Sequence, residues 1–190
     1  KALNEGRAPA GPSVQAPPLP DFSRWGNVRR ESMSTIRKLT AQHTTSCWST
    51  IPHVTQHGMA DITELELLRK RYTAKAEEVG AKLTPTAIFV KIIATGLKAF
   101  PQFNASLDMP NHEIIVKEYV HIGVAVDTPK GLVVPVLKDA DQKNIIELAV
   151  ELSGIAEKAR TGKMTPRDME GGCFTISNLG GIGGTHFTPI

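Results

Sequence analysis

Tyr119-Val120-His121-Ile122-Gly123-Val124-Ala125-Val126-Asp127-Thr128-Pro129-Lys130-Gly131-Leu132-Val133-Val134-Pro135-Val136-Leu137 is the stretch on which the fold turns. Val120, Ile122, Val124 and Val126 alternate with His121, Gly123 and Ala125, the period of two that sets alternate side chains on opposite faces of a strand. Two strands are predicted, Tyr119 to Val126 and Leu132 to Leu137, joined by Asp127 to Gly131, where Pro129 and Gly131 favour a turn. Small residues at 123 and 125 let another backbone or a ligand approach closely.

Upstream, two shorter strands are predicted over Phe103 to Leu107 and Glu113 to Lys117. Helices precede them. Thr84-Pro85 starts one with proline at its preferred first position and a broad apolar stripe of Ile88, Phe89, Ile92, Ile93 and Leu97, ended by Pro101. Asp61-Ile62-Thr63-Glu64 has the form of a capping box, and Ile62, Leu65, Leu68, Tyr72 and Val79 mark one face of a helix closed by Gly80. Its polar side carries Arg69, Lys70, Arg71 and Lys75, a solvated face that could also seat a phosphate. Ile36, Leu39 and His43 predict a further helix over Ser32 to Ser46, and Pro52 to His57 reads as a strand. On a strand His53 and His57 stand ~13 Å apart, too far to share a metal ion.

Downstream, Asn144-Ile145-Ile146-Glu147 opens a helix through Leu148, Leu152, Ile155 and Ala159 to about Arg160, and Thr165-Pro166 a short helical turn. Gly171-Gly172-Cys173-Phe174-Thr175-Ile176-Ser177-Asn178-Leu179-Gly180-Gly181-Ile182-Gly183-Gly184-Thr185 then reads as a strand that delivers the Ser177 hydroxyl to a glycine-rich turn. The expected class is α+β, with helices covering one face of a mixed sheet.

Composition narrows the function. The net charge of +3 comes from Lys1, Arg7, Arg24, Arg29 and Arg30 against Glu5 and Asp21, while residues 31–190 balance at 17 basic and 17 acidic residues. The basic excess belongs to an arm, so no nucleic-acid face is expected on the globular part. Ala8-Pro9-Ala10-Gly11-Pro12 and Ala16-Pro17-Pro18-Leu19-Pro20 predict an extended linker over residues 1–20, and Asp21 to Trp25 supplies the first apolar anchors expected to dock on a core over 21–190. No apolar run reaches the ~18 residues that span a bilayer and no signal-peptide pattern opens the sequence, which predicts a soluble, intracellular protein, cytoplasmic if bacterial or of the mitochondrial matrix if eukaryotic. Cys47 and Cys173 fit no zinc or disulfide spacing and read as buried thiols.

The glycines invite a phosphate-cradle reading, but G-x-G-x-x-G fails at His186 and no G-x-x-x-x-G-K-[ST] occurs. Ser177 is not in G-x-S-x-G, so a nucleophile elbow has no support. By spacing alone it is one more serine at a strand end.

Asp61-Ile62-Thr63-Glu64-Leu65, Phe103-Asn104-Ala105-Ser106-Leu107, the stretch from His121 to Val136 and Gly171 to Gly180 together resemble the catalytic domain of the 2-oxoacid dehydrogenase acyltransferases, from about Asp21 to Ile190. Phe174-Thr175-Ile176-Ser177 with Thr185 to Ile190 is most similar to the acetyl-transferring branch that serves the pyruvate dehydrogenase complex. The resemblance implies a chloramphenicol acetyltransferase-like sandwich, and transfer of acetyl between dihydrolipoamide and coenzyme A. It makes coenzyme A or acetyl-CoA a substrate, the other being a lipoyl group carried on a separate domain of the parent protein. It implies trimers that build a cubic or icosahedral core, served by pyruvate decarboxylase and dihydrolipoamide dehydrogenase components, with no nucleic-acid or membrane partner. Residues 1–3 would end a subunit-binding domain.

In the resemblance Ser177 donates to the oxyanion, Arg69 matches a position that contacts coenzyme A, and Asp127 and Asn178 flank the site. The family's base is a histidine in D-H-R-x-x-[DN]-G, a motif these 190 residues do not contain; His43, His53, His57, His112, His121 and His186 match other positions. The expectation is truncation at the C-terminus relative to the family, with the base supplied by the missing segment of a neighbouring subunit. The alternatives are a non-catalytic acyltransferase-like scaffold and, more remotely, a nucleotide-binding module.

Overall fold

The computed structural model describes residues 17–180 and 183–190, in two units that part between Met33 and Ser34. Most of the expected linker, residues 1–16, lies outside the described residues. In the first unit a 3-10 turn, Phe22–Arg24, starts where Asp21 Oδ1 accepts from the Ser23 N–H (3.0 Å) and hydroxyl (2.6 Å). Phe22 and Trp25 are both exposed, with ring centroids 6.3 Å apart.

In the second unit four helices carry the frame: α1 (Thr35–Thr50), α2 (Thr63–Glu78), α3 (Pro85–Ala99) and α4 (Ile145–Arg160). Their ends arise from local chemistry. Ser34 caps α1, accepting from Arg37 N, and Thr84 caps α3, accepting from Ala87 N, with Pro85 in the first turn. Asn144 and Glu147 form the full reciprocal box at α4: Asn144 Oδ1 takes the N–H groups of Ile146 and Glu147, and Glu147 Oε2 takes that of Asn144 at 2.7 Å. At α2 the expected box is not built. Asp61 Oδ1 instead accepts from the backbone and hydroxyl of Thr63, two residues on, so the helix begins at Thr63 and Glu64 falls too early in it to reach back. Its other end is a Schellman closure, with Gly80 at φ 72°, Gly80 N donating to Glu77 O and Ala81 N to Ala76 O.

Small residues set the helix packing. Ala76 of α2, Ala87 and Ile88 of α3 and Ala149 of α4 meet with Ala81 and Leu83 in one buried cluster. The faces read in the sequence are buried only in part: Ile88 and Leu97 of α3 are buried, and Ile93 of α3 and Leu65 of α2 pack against the clusters. Leu68 and Tyr72 of α2, Val79 just beyond it, and Phe89 and Ile92 of α3 are exposed, while Ala76, Val90 and Ala94 are buried. The second cluster joins α3 and α4 to the sheet through Val90, Ala94, Leu97, Val120, Ile122, Val124, Leu137 and Leu148.

The strands are β1 (Ala105–Asp108), β2 (Glu113–Val116), β3 (Ile122–Val124), β4 (Val126–Thr128), β5 (Gly131–Val133), β6 (Val136–Leu137) and β7 (Phe174–Ile176). Each long predicted strand divides in two. The β4–β5 hairpin stands off from a mixed sheet of order β6-β3-β7, in which β3 runs antiparallel to β6 and parallel to β7. Pro135, which has no N–H to give a ladder, marks the break on one side. β1 and β2 form a separate hairpin, tied to the segment leading into β3 by buried Asn104, whose Nδ2 donates to Lys117 O (2.8 Å) and Tyr119 O (2.9 Å). The strand expected over Pro52 to His57 does not form: residues 52–62 carry no regular structure. Alternation there meets no partner strand, and a lone strand gains nothing from its propensity.

Candidate active site

Parallel pairing of β3 with β7 positions the predicted site. Gly123 sits opposite Thr175, and a Cβ at 123 would lie 2.8 Å from Val134 Cγ1 and 3.0 Å from Thr175 Oγ1. The close approach anticipated at this glycine is therefore that of a neighbouring strand. One residue beyond the ladder, Ala125 N donates to Ile176 O at 2.9 Å. The two strands leave the sheet side by side, β3 running on toward Asp127 and β7 toward Ser177 and Asn178.

Asp127 and Asn178 line a common cleft of about 800 Å³. Its walls come from Lys82, Thr84 and Thr86 ahead of and within the first turn of α3, from Val124 to Asp127, and from Ser153, Glu157 and Arg160 of α4. Ser177 is exposed at the end of β7, between the residue bonded to Ala125 and the residue that lines the cleft. Asn178 is held twice: its Oδ1 accepts from Gly180 N at 2.8 Å and its Nδ2 donates to Thr86 Oγ1 at 3.2 Å. A Cβ on Gly180 would stand 3.0 Å from that Oδ1, a tight contact that would press on the Asn178 carboxamide.

Arg69 is not among the residues that line this cleft. Half-buried on α2, it makes a forked contact with Glu66, Nε and Nη2 both at 2.9 Å from the carboxylate, and its Nη1 reaches Leu83 O at 3.5 Å. The hydrogen bonds from Arg69 hold the Glu66 carboxyl below its ordinary range, and the same bonds raise the guanidinium further. Lys82, Thr86, Glu157 and Arg160 had no local signal in the sequence; they reach the cleft because α3 and α4 cover the sheet. A second cavity, of about 560 Å³, lies among Leu68, Tyr72, Lys75, Lys91, Asn144, Ile145 and Ile146 and holds none of the predicted site residues.

Among the described residues no histidine lines the cleft. His121 is structural: its Nδ1 accepts from Asp139 N at 3.0 Å, its ring lies 4.6 Å from that of Tyr119, and its backbone pairs with Cys173. His53 Nδ1 donates to Ile51 O at 2.7 Å, His43 contacts Cys47 along α1, and His57 and His186 meet edge to face at 4.9 Å. Cys47 and Cys173 are only part-buried, Cys173 Sγ lying 3.1 Å from His121 O. Among the described residues no three His, Cys, Asp or Glu side chains converge on a metal site, and no helix is long and apolar enough to cross a membrane.

A mixed sheet under helices, with a hydroxyl at the end of a parallel strand beside an open cleft, is the arrangement of a chloramphenicol acetyltransferase-like fold. The protein belongs to the family described as 2-oxoacid dehydrogenases acyltransferase (catalytic domain), which it matches over residues 26–190. It is 50% identical over 170 residues to the dihydrolipoyllysine-residue acetyltransferase component of the pyruvate dehydrogenase complex of Cupriavidus necator, covering 90% of this chain and 30% of that protein. The Haemophilus influenzae component is 49% identical, with 91% and 31% covered. The sequence thus spans about a third of the length of these curated relatives.

Among solved structures, two are alike at 47% identity and a TM-score of 0.88, with 92% of this chain and 73% of each covered. One is the Azotobacter vinelandii dihydrolipoamide acetyltransferase, investigated for the role of a serine, a histidine and an asparagine in its catalytic mechanism. The other is the cubic core of a pyruvate dehydrogenase multienzyme complex.

Proposed function

We propose that the protein to which these residues belong transfers acetyl between dihydrolipoamide and coenzyme A in the core of a pyruvate dehydrogenase complex. The observation that carries the proposal is the exposed Ser177 just past the end of β7, next in sequence to Asn178, which lines the cleft with Asp127. The names of the relatives at 49–50% identity support it.

In either direction one substrate is a thiol and the other an acetyl thioester, and the thiol is ordinarily protonated at neutral pH with a pKa of ~8.5. A base removes the proton, the sulfur attacks the acetyl carbonyl carbon, and the carbonyl oxygen becomes an oxyanion. Ser177 donates to that oxygen. As the intermediate collapses, the bond from carbon to the first sulfur breaks and the departing thiolate takes the proton back. A donor placed on the oxyanion contributes ~3 kcal/mol. Ser177 thereby acts as a stabiliser and forms no bond to the acetyl group. In this reading it is the counterpart of the serine studied in the Azotobacter protein, and the base is a histidine outside these 190 residues, presented by a neighbouring copy.

Coenzyme A is an anion, and Arg69 is the cation assigned to it. Nε and Nη2 are engaged by Glu66, which leaves Nη1, with its long bond to Leu83 O, as the group free to turn to a phosphate. Trimers build the cubic or icosahedral core, served by pyruvate decarboxylase and dihydrolipoamide dehydrogenase components and by a lipoyl group on another domain. The bacterial relatives favour the cytoplasm as its compartment.

The test is transfer of acetyl from acetyl-CoA to dihydrolipoamide by the full parent protein. Saturable transfer is the expected result. An assembled core with no transfer would refute the proposal and favour a non-catalytic scaffold.

A further inference from the structure

We infer that Thr86 is a positioning residue for the Ser177 hydroxyl, acting through Asn178. The inference rests on the acyl-transfer role given to Ser177 and adds a residue 92 positions from Asn178 in the sequence.

An oxyanion donor is effective only if its direction is fixed before the charge develops, because reorienting it afterwards costs much of what it gains. Ser177 is the first residue past β7, where the ladder no longer holds the backbone. Immediately before it, Ile176 O is bound by Ala125 N at 2.9 Å. Immediately after it, the only side-chain tether from Asn178 to another element among the described residues runs from Nδ2 to Thr86 Oγ1, at 3.2 Å. The orientation of the carboxamide is set independently. Gly180 N can only donate, so the end of Asn178 that it meets at 2.8 Å is the oxygen, and the end that faces Thr86 is the NH₂. Ser177 is therefore bracketed by one bond to the sheet and one to a helix.

The helix end is a firm anchor. Thr86 lies in the first turn of α3, directly after Pro85, with the Thr84 cap on Ala87 N and with Ala87 and Ile88 buried in the helix cluster. Position 86 is fixed by interior packing, and Asn178 passes that rigidity to the turn that carries Ser177. Without the Thr86 hydroxyl the Asn178 NH₂ faces the open cleft and bonds to water. Asn178 can then swing, and Ser177 samples directions that miss the oxyanion.

The experiment uses the full parent protein in its assembled form, with steady-state transfer of acetyl from acetyl-CoA to dihydrolipoamide. Thr86→Val keeps the shape and removes the hydroxyl. The expected result is a fall in kcat of about fivefold, the size of one neutral hydrogen bond. KM for both substrates and Tm stay unchanged, and Thr86→Ser restores kcat. In a Ser177→Ala background Thr86→Val has no further effect, which a merely structural role would not produce. Wild-type kcat in Thr86→Val, the same fivefold loss without Ser177, or a lowered Tm that accounts for the loss each overturns the inference. If Ser177→Ala alone keeps full kcat, the role of Ser177 falls, and this inference with it; if Ser177→Ala is impaired while Thr86→Val is not, only the inference falls.

Discussion

Gly123→Ala tests the strand pairing that delivers Ser177. The added methyl would stand 2.8 Å from Val134 Cγ1, 3.0 Å from Thr175 Oγ1 and 3.6 Å from Phe174 O. Carbon atoms in good contact stay about 3.5–4.0 Å apart, so the first gap is short by more than half an ångström. Gly123 is buried in the centre of β3, between β6 and β7, and the sheet cannot open on one side alone. Overpacking of this kind costs roughly 1–3 kcal/mol. Near the middle of that range, about 2 kcal/mol lowers Tm by roughly 4–8 °C for a domain of this size. Thermal unfolding of the purified protein reads the shift directly. Val134→Ala removes the nearest clashing atom, so the double variant is expected to be more stable than the sum of the two single changes predicts. An unchanged Tm in Gly123→Ala, or strict additivity in the pair, would refute the claim that glycine is required because β7 and Val134 press on it.

Two further outcomes rest on the packing and the charges. Asn104→Ala removes both N–H groups given to Lys117 O and Tyr119 O at a site only 2% exposed, leaving two carbonyls without that donor, and is expected to cost about 2–3 kcal/mol in denaturant unfolding; a cost under half of that would contradict it. The Glu66 carboxyl, held low by hydrogen bonds from Arg69, stabilises the fold at pH values above its unfolded value, and that contribution is lost as pH falls through the lower folded value. Stability should therefore fall with acid below the ordinary glutamate range, and Glu66→Gln should flatten that part of the profile; an unaltered profile would show that the Arg69 contact is not formed in solution.

Local signals carried most of the frame. Thr84-Pro85, Asn144 with Glu147, and Gly80 marked helix ends because capping depends on residues within one turn. The alternation from Val120 to Val126 marked the central strand for the same reason. Features that depend on distant partners were not legible. Pro52 to His57 has the alternation of a strand and finds nothing to pair with. Of the stripe read on α3, Ile88 and Leu97 are buried and Ile93 packs on the core, while Phe89 and Ile92 are exposed; on α2 Leu65 packs inward and the buried position is Ala76, which a stripe of large apolar residues does not mark. At the site, sequence resemblance singled out Ser177, Asp127, Asn178 and Arg69; the structure places Asp127 and Asn178 on one cleft, with Ser177 next to Asn178 but not among the lining residues, and Arg69 outside it. Thr86 could not be seen, because its tie to Asn178 exists only once α3 lies over the sheet.

The central claim is that the Ser177 hydroxyl stabilises the oxyanion of acetyl transfer, and Ser177→Ala in the assembled parent protein tests it most directly. Loss of one such donor predicts a kcat reduced by ~10²–10³, with KM for coenzyme A, Tm and the size of the assembly unchanged. A kcat within a few-fold of the unaltered protein would contradict the account.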